Sequence, residues 1–409
     1  MASTESRLWQ PLRVGNITLS HRIAMAPLTR YRNDDNHIPQ EIMAQYYAER
    51  ASTPGSLVIS EATGISGAAE ANFNLPGIFR PQQIEGWARI YRAVHAQGSY
   101  IFQQIWDLGR AANPEYVKPR GYNYSSSSDK ILKGKKEAPQ PLTEEEIWAK
   151  IDEYRVAAKN VIAAGGDGVE IHGAHGYLID QFTRDSVNNR TDKWGGSVEN
   201  RSRFLLEVVK AVTDEIGAER TGLRLSPFVV FQDSYSSDTW EQTSYIVRRL
   251  KEDGYKLAYL SLVEPRGDPA RLFTKSTMPE DYKDPFQKGE KSLDFILEEW
   301  DNWSPVFVAG GYDAEGAIEV VDGQYSKYDV GVAFGRPYIS NPDLVFRARN
   351  GIPFSPYNRK TFYIPKSPVG YVDYPFSEEA VASGLQKAVE RAVAETGDSN
   401  SEKNMGLKL

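Results

Sequence analysis

Eight times in succession this chain repeats one pattern: a short apolar stretch, a loop, then a stretch of helical period. The pattern predicts strands over 23–27, 56–60, 100–106, 168–172, 222–226, 257–263, 305–309 and 329–335. It predicts helices over 39–50, 81–97, 143–164, 197–216, 239–253, 293–303, 314–323 and 341–351. In the second helix Trp87, Ile90 and Val94 fall at the spacing of one helical face. Strands such as 257–263 are almost wholly apolar, as strands covered on both faces must be. Eight strand–helix units in order are the requirement of a (β/α)8 TIM barrel. A doubly wound sheet is the alternative, but it calls for a Gly-x-Gly-x-x-Gly turn after the first strand, and none stands there. Alternation over 8–20, broken at Gly15-Asn16, adds an N-terminal β-hairpin as a lid over one end of the barrel.

At 409 residues the chain is long enough for two or three domains, yet such barrels often run this long as one. We expect a single barrel over 1–376 and then, within 377–409, a C-terminal helix and disordered tail, the helix reading over 376–396 and the tail over 397–409. The loop over 113–140 reads as a surface excursion, and the charged, proline-containing stretch 264–291 as a lid.

Composition narrows the function classes. A net charge of −7 argues against nucleic acid or an anionic membrane as a partner. There is no cysteine, so disulfides and thiolate chemistry are excluded. The first residues lack the apolar core of a signal peptide, no stretch reaches transmembrane length, and the final Leu407-Lys-Leu409 only loosely echoes a peroxisomal address. The expectation is a cytoplasmic enzyme, monomeric or homodimeric, acting on a small molecule.

Barrel chemistry sits at the C-terminal ends of the strands. The fourth strand ends in the run from Gly168 to Phe182, which carries His172, His175 and Tyr177. The chain has only five histidines, and two lie here. Small residues Gly173, Ala174 and Gly176 let the backbone turn, so both imidazoles and the phenol can converge on a carbonyl-type oxygen and a carbon needing a proton. A metal pair and two hydrogen-bonded core histidines are the competing readings, although no Asp, Glu or Cys follows at a familiar ligand spacing. Arg224 lies inside an apolar strand and needs an anionic partner, either a ligand or a buried Glu170 or Glu61. Gly310-Gly311 and Gly335-Arg336 follow the last two strands, the usual barrel phosphate site, although a Gly-Gly pair alone is only a turn.

Several long motifs then fall in order: Leu19 to Arg30, Arg50-Ala51, Asp167 to Tyr177, Asn189 to Phe204, Gly222 to Pro227 and Phe334 to Asp343. Over about 8–375 the chain resembles the Old Yellow Enzyme family of flavin-dependent ene-reductases. The resemblance implies FMN as cofactor and NADPH, or NADH, as hydride donor. Pro27, Thr29, Ala62 and Gln104 would contact the flavin ring, Arg224 would face its polar edge, and Gly310, Gly311, Gly335 and Arg336 would hold the phosphate and ribityl chain. His172 and His175 would grip the oxygen of an electron-poor alkene, an α,β-unsaturated carbonyl or nitro compound. Tyr177 would protonate carbon, with Trp106, Phe231 and Tyr363 as pocket walls. No metal is implied.

Fungal relatives in secondary metabolism include redox-neutral isomerases with Phe at the Tyr177 position, so Tyr177 favours net reduction. An isomerase and a metal-using barrel hydrolase stay as alternatives. Many members carry Asn at the His175 position, and an aromatic that many share after the second strand would fall at Asn72 or Phe73. Asp107 and Arg110, beside Trp106, suggest a polar pocket rim and a polar substrate.

Overall fold

A computed structural model of the chain describes residues 6–267, 286 and 291–398. Eight parallel strands close on themselves. In chain order they are Ile23–Met25, Leu57–Ile59, Tyr100–Trp106, Gly168–Gly173, Thr221–Leu225, Tyr259–Val263, Val306–Ala309 and Val330–Phe334. Each pairs with the next, and the eighth pairs with the first through Val332↔Ile23 and Phe334↔Met25. This is the expected (β/α)8 barrel.

Leu12–Val14 and Ile17–Leu19 form the antiparallel hairpin, in register Leu12↔Leu19. Alternation decides its orientation: Leu12, Val14, Ile17 and Leu19 are buried while Arg13 and Thr18 face solvent. The buried four join one apolar cluster with Ala24, Leu57, Phe102, Tyr259 and Phe307 from the barrel interior. The hairpin therefore plugs the N-terminal end of the barrel and leaves the C-terminal end as the working face.

The helices begin where local chemistry satisfies their free N–H groups. Glu144–Ala163 starts with a reciprocal cap: the Glu146 amide donates to Thr143 Oγ1 at 3.2 Å and the Thr143 amide to Glu146 Oε2 at 2.8 Å. Such a cap contributes about 1 kcal/mol. Pro81–His95 starts on a proline, and its expected inner face, Trp87, Ile90 and Val94, is fully buried. Burying side chains of this size stabilises by roughly 1.5–3 kcal/mol each.

Three expectations change. The final helix is two helices, Glu378–Ala382 and Leu385–Asp398, because Gly384 turns left-handed at φ 84°. The second packs on Glu41–Arg50 and Pro81–His95. The 113–140 loop is not a mere surface excursion: Ser126, Ser127 and Ser128 are buried, and Ser126 Oγ donates to Gln181 Oε1 at 2.8 Å. Asp107 and Arg110 form no polar rim either. Asp107 is ion-paired to buried Lys150 at 2.9 Å, and Arg110 spends its guanidinium on backbone carbonyls. Of the expected 264–291 lid, 268–285 and 287–290 lie outside the described residues, as does the expected tail from 399 onward.

Candidate active site

The C-terminal mouth of the barrel opens into a cavity of about 900 Å3. Every site residue expected from the sequence lines it. Pro27, Thr29, Ala62, Gln104 and Arg224 contribute from the strand ends, and Gly310, Gly311, Gly335 and Arg336 from the last two loops. Trp106, His172, His175, Tyr177, Phe231 and Tyr363 complete the wall.

The floor is a buried polar layer set by strand register. Gln104 pairs with Glu170 and Arg224 with His172 across neighbouring strands. Gln104 Nε2 donates to Glu170 Oε1 at 2.7 Å, which turns the Gln104 carbonyl away from Glu170. Arg224 Nη1 lies 3.9 Å from the same carboxylate oxygen, so the Glu170 pairing weighed from the sequence exists but is loose. Among the described residues the Nε and Nη1 of Arg224 have no hydrogen-bond partner, although the side chain is buried. A buried guanidinium with spare donors calls for an acceptor in the cavity.

The run after the fourth strand folds into an aromatic cluster. The His172 ring lies 4.9 Å from Tyr177 and 5.6 Å from His175, and stacks at 5.9 Å and 14° on Trp106. Tyr177 meets Trp106 edge-on at 4.5 Å. His175 is left-handed at φ 59°, an uncommon state for a non-glycine, and both its backbone groups are tied. Its N–H donates to Ser226 Oγ at 2.8 Å, and its carbonyl accepts from Gln232 Nε2 at 3.1 Å. Gly176 follows at φ 74°, where a Cβ would come within 2.9 Å of the Gln232 Cβ. Its N–H donates to Asp180 Oδ2 at 2.8 Å.

Burial, and then the Arg224 charge, push the His175 pKa down to about 3. His172 is lowered well below its ordinary value by burial, then by His175 and Arg224. Both imidazoles are neutral at pH 7, so each offers one N–H as a donor. Burial pushes the Tyr177 phenol well up, and it stays protonated.

The far end of the cavity suits an anion. A Cβ on Gly310 would come within 2.6 Å of the Glu264 side chain, so only glycine lets the backbone pass there. Arg336 stacks over Tyr357 at 5.7 Å, and Arg266 over Tyr312 at 4.1 Å. Arg266, Tyr357 and Arg359 also line the cavity, and the sequence reading gave them no role. Arg266 stood at a strand end and was visible there, whereas Tyr357 and Arg359 come from a segment with no periodic signal.

Gln232 and Tyr31 were missed as well. Tyr31 faces Tyr363 across the cavity mouth at 5.7 Å. Asn72 lines the cavity, and Phe73 turns outward, 59% exposed, against Tyr116.

Residues 7–355 match the family model described as the NADH:flavin oxidoreductase / NADH oxidase family. The chain belongs to the Old Yellow Enzyme family. It is 50% identical over 388 residues to the chanoclavine-I aldehyde reductase fgaOx3 of Penicillium roqueforti (strain FM164), covering 95% of this chain and 100% of that protein. It is 47% identical to the NADP-dependent oxidoreductase lnbE of Aspergillus flavus, over 92% of this chain and 98% of that one. The crystal structure of Old Yellow Enzyme from Pichia sp. AKU4542 superposes with a TM-score of 0.81 at 34% identity, covering 91% of this chain and 94% of that one.

As an Old Yellow Enzyme the protein is an oxidoreductase with FMN as its cofactor. The residues present fit that group. The unpartnered donors of Arg224 match an electron-rich ring edge, and the Gly310 approach beside Arg336 matches a phosphate. Among the described residues no three His, Cys, Asp or Glu side chains converge as a metal site needs. No helix there is long and apolar enough to cross a membrane.

Proposed function

We propose that this enzyme uses NADPH to reduce the C=C bond of α,β-unsaturated carbonyl or nitro compounds, in a secondary-metabolic pathway. FMN, when bound, would supply the hydride chemistry that links the nicotinamide to the β-carbon of the alkene. One barrel over 1–376 carries both halves of the reaction. The observation that carries the reading is the convergence of two neutral imidazoles and one protonated phenol on one cavity end, with the Gly310 and Arg336 anion cradle at the other.

Pro27, Thr29, Ala62 and Gln104, which line the cavity, would bed the ring system, and Arg224 would stabilise negative charge on it. Gly310, Gly311, Gly335 and Arg336 hold the phosphate end. His172 and His175 donate N–H groups to the substrate oxygen. As charge builds on that oxygen these fixed donors strengthen, and removing one such donor typically costs about 10²–10³ in rate. Tyr177 Oη releases its proton to the α-carbon, and solvent then reprotonates the phenolate. Trp106, Phe231 and Tyr363 exclude water and hold the alkene flat.

NADPH as donor is supported by lnbE, whose name is NADP-dependent oxidoreductase. A conjugated aldehyde as substrate is in keeping with the chanoclavine-I aldehyde reductase relative. The test is a visible spectrum of the purified protein, taken anaerobically before and after NADPH and then after 2-cyclohexenone. We expect an oxidised-flavin spectrum that NADPH bleaches and the enone restores. Bleaching by NADPH without recovery on enones or nitroalkenes would sink the substrate assignment.

A further inference from the structure

The loop after the fifth strand holds two consecutive non-glycine residues in the left-handed region, Gln232 at φ 63° and Asp233 at φ 52°. Each such residue costs of order 1–3 kcal/mol and persists only where its surroundings over-determine it. Here Ser186 Oγ donates to the Asp233 carbonyl at 3.2 Å and the Lys133 N–H to Asp233 Oδ2 at 3.1 Å, and one buried side chain ties both left-handed carbonyls. Arg110 Nη2 donates to the Gln232 carbonyl at 2.7 Å and to the Asp233 carbonyl at 3.1 Å, and Nη1 to the Lys130 carbonyl at 3.3 Å. Arg110 is itself fixed by Tyr124, whose hydroxyl donates to its carbonyl at 2.7 Å.

That strain aims one amide. Gln232 Nε2 donates to the His175 carbonyl at 3.1 Å, the Gln232 Cβ stands close against Gly176, the residue before Tyr177, and Gln232 and Tyr177 line the same cavity, where the amide favours the ionised phenol. A second glutamine closes the opposite side. The Arg110 backbone N–H donates to Gln181 Oε1 at 3.1 Å, and Gln181 Nε2 donates to the Gly176 carbonyl at 2.7 Å. The turn that carries His175, Gly176 and Tyr177 is thus gripped from two sides by amides that both lead back to Arg110.

We propose that Gln232, held in its left-handed conformation with the help of Arg110 and anchored on the His175 carbonyl, is a positioning residue that fixes the Tyr177 hydroxyl over the substrate α-carbon. This rests on Tyr177 as the proton donor. In the step concerned the Tyr177 O–H bond breaks and a C–H bond forms, and the amide N–H of Gln232 stabilises the phenolate left behind until solvent reprotonates it. A polar substrate has no need of Asp107 or Arg110 under this account, because both are engaged within the protein.

The test follows re-oxidation of the reduced holoenzyme in Gln232→Ala, Tyr177→Phe and the double variant. Two acceptors are compared: 2-cyclohexenone, whose product needs a proton on carbon, and 1-nitrocyclohexene, whose nitronate product is a stable anion. We expect Gln232→Ala to be roughly tenfold slower with the enone and within about twofold of wild type with the nitroalkene. The double variant should be no slower with the enone than Tyr177→Phe, since residues acting as a unit are not additive. Arg110→Lys, whose point charge cannot span both carbonyls, should show the same preference for the nitroalkene. Equal slowing with both acceptors, or an unchanged enone rate in Gln232→Ala while Tyr177→Phe is slow, overturns the proposal. An unchanged enone rate in Tyr177→Phe instead removes Tyr177 from the proton step, and the positioning role falls with it.

Discussion

The His172 and Tyr177 rings lie 4.9 Å apart at an interplanar angle of 73°, with Trp106 packed against both. The donor proposed for oxygen and the proton donor proposed for carbon are therefore held as one rigid unit, five positions apart in the chain. Tyr177→Phe keeps the packing and removes only the proton. Turnover of an enone should fall by about 10²-fold or more, the usual range for a lost general acid. Steady-state kinetics with 2-cyclohexenone check this, and unchanged kcat would remove the phenol from the mechanism.

Arg224→Met should keep the barrel and weaken the flavin. The arginine is buried, with two donors unpartnered among the described residues and one loose contact to Glu170. Replacing it by an apolar residue of similar length removes the positive charge proposed to favour the reduced ring. A lower midpoint potential and an FMN Kd raised roughly tenfold or more are expected. Equilibrium dialysis and a dye-coupled titration measure both.

Gly335→Ala separates fold from cofactor. A Cβ there meets nothing closer than 3.6 Å, and the residue is not left-handed. Apoprotein stability should change by no more than about 1 kcal/mol, the usual size of a Gly→Ala effect. A weaker FMN complex at unchanged stability would mark that backbone as touching the cofactor. Gly310→Ala, which drives a Cβ to 2.6 Å from Glu264, should lose both.

Acid should destabilise the protein through its histidines. His21 and His37 are lowered to about 4 and His175 to about 3, and His172 lies well below its ordinary value, each chiefly by burial. Their folded-state values sit below the unfolded value of 6.5, so between these limits the unfolded chain binds more protons. Stability is then fully present above about pH 6.5 and is lost as pH falls through that window. Denaturant midpoints from pH 7.5 to 5 measure the trend. No loss of oxygen gripping is expected over that range, because His172 and His175 stay neutral in the folded protein.

Glu61 has the opposite sign. Burial raises its pKa to about 7, with Arg30 and Arg32 nearby opposing the shift. Between its unfolded value near 4.5 and about 7 the folded state binds the extra proton, so its contribution falls as pH rises and the full cost is present above pH 7. Glu61→Gln mimics the protonated acid at every pH. The variant should be more stable than wild type at pH 8, by about 3–4 kcal/mol at most, and about equal at pH 4.5. Equal stability differences at both pH values would show that Glu61 does not titrate in this way.

The sequence by itself determined the barrel, its hairpin plug and where the fifteen expected site residues would meet. Strand and helix periods are local properties, and closure of eight units puts every strand end on one face whatever the loops do. His172, His175, Tyr177 and the glycine turns were legible because they sit at those ends. Tertiary structure alone decided the rest. Arg110 reads as a rim charge beside Trp106, yet it turns inward because three carbonyls from distant loops replace its water. Gln232 carries no local sign of function, since the carbonyl of its left-handed backbone is held by a side chain 122 residues away. Tyr31 and Tyr363 meet only because arginine donors from Arg30 and Arg32 fasten carbonyls of the 361–370 segment over the barrel mouth. Periodicity records which face of an element is buried, but it holds no information on which distant carbonyl a buried cation will find.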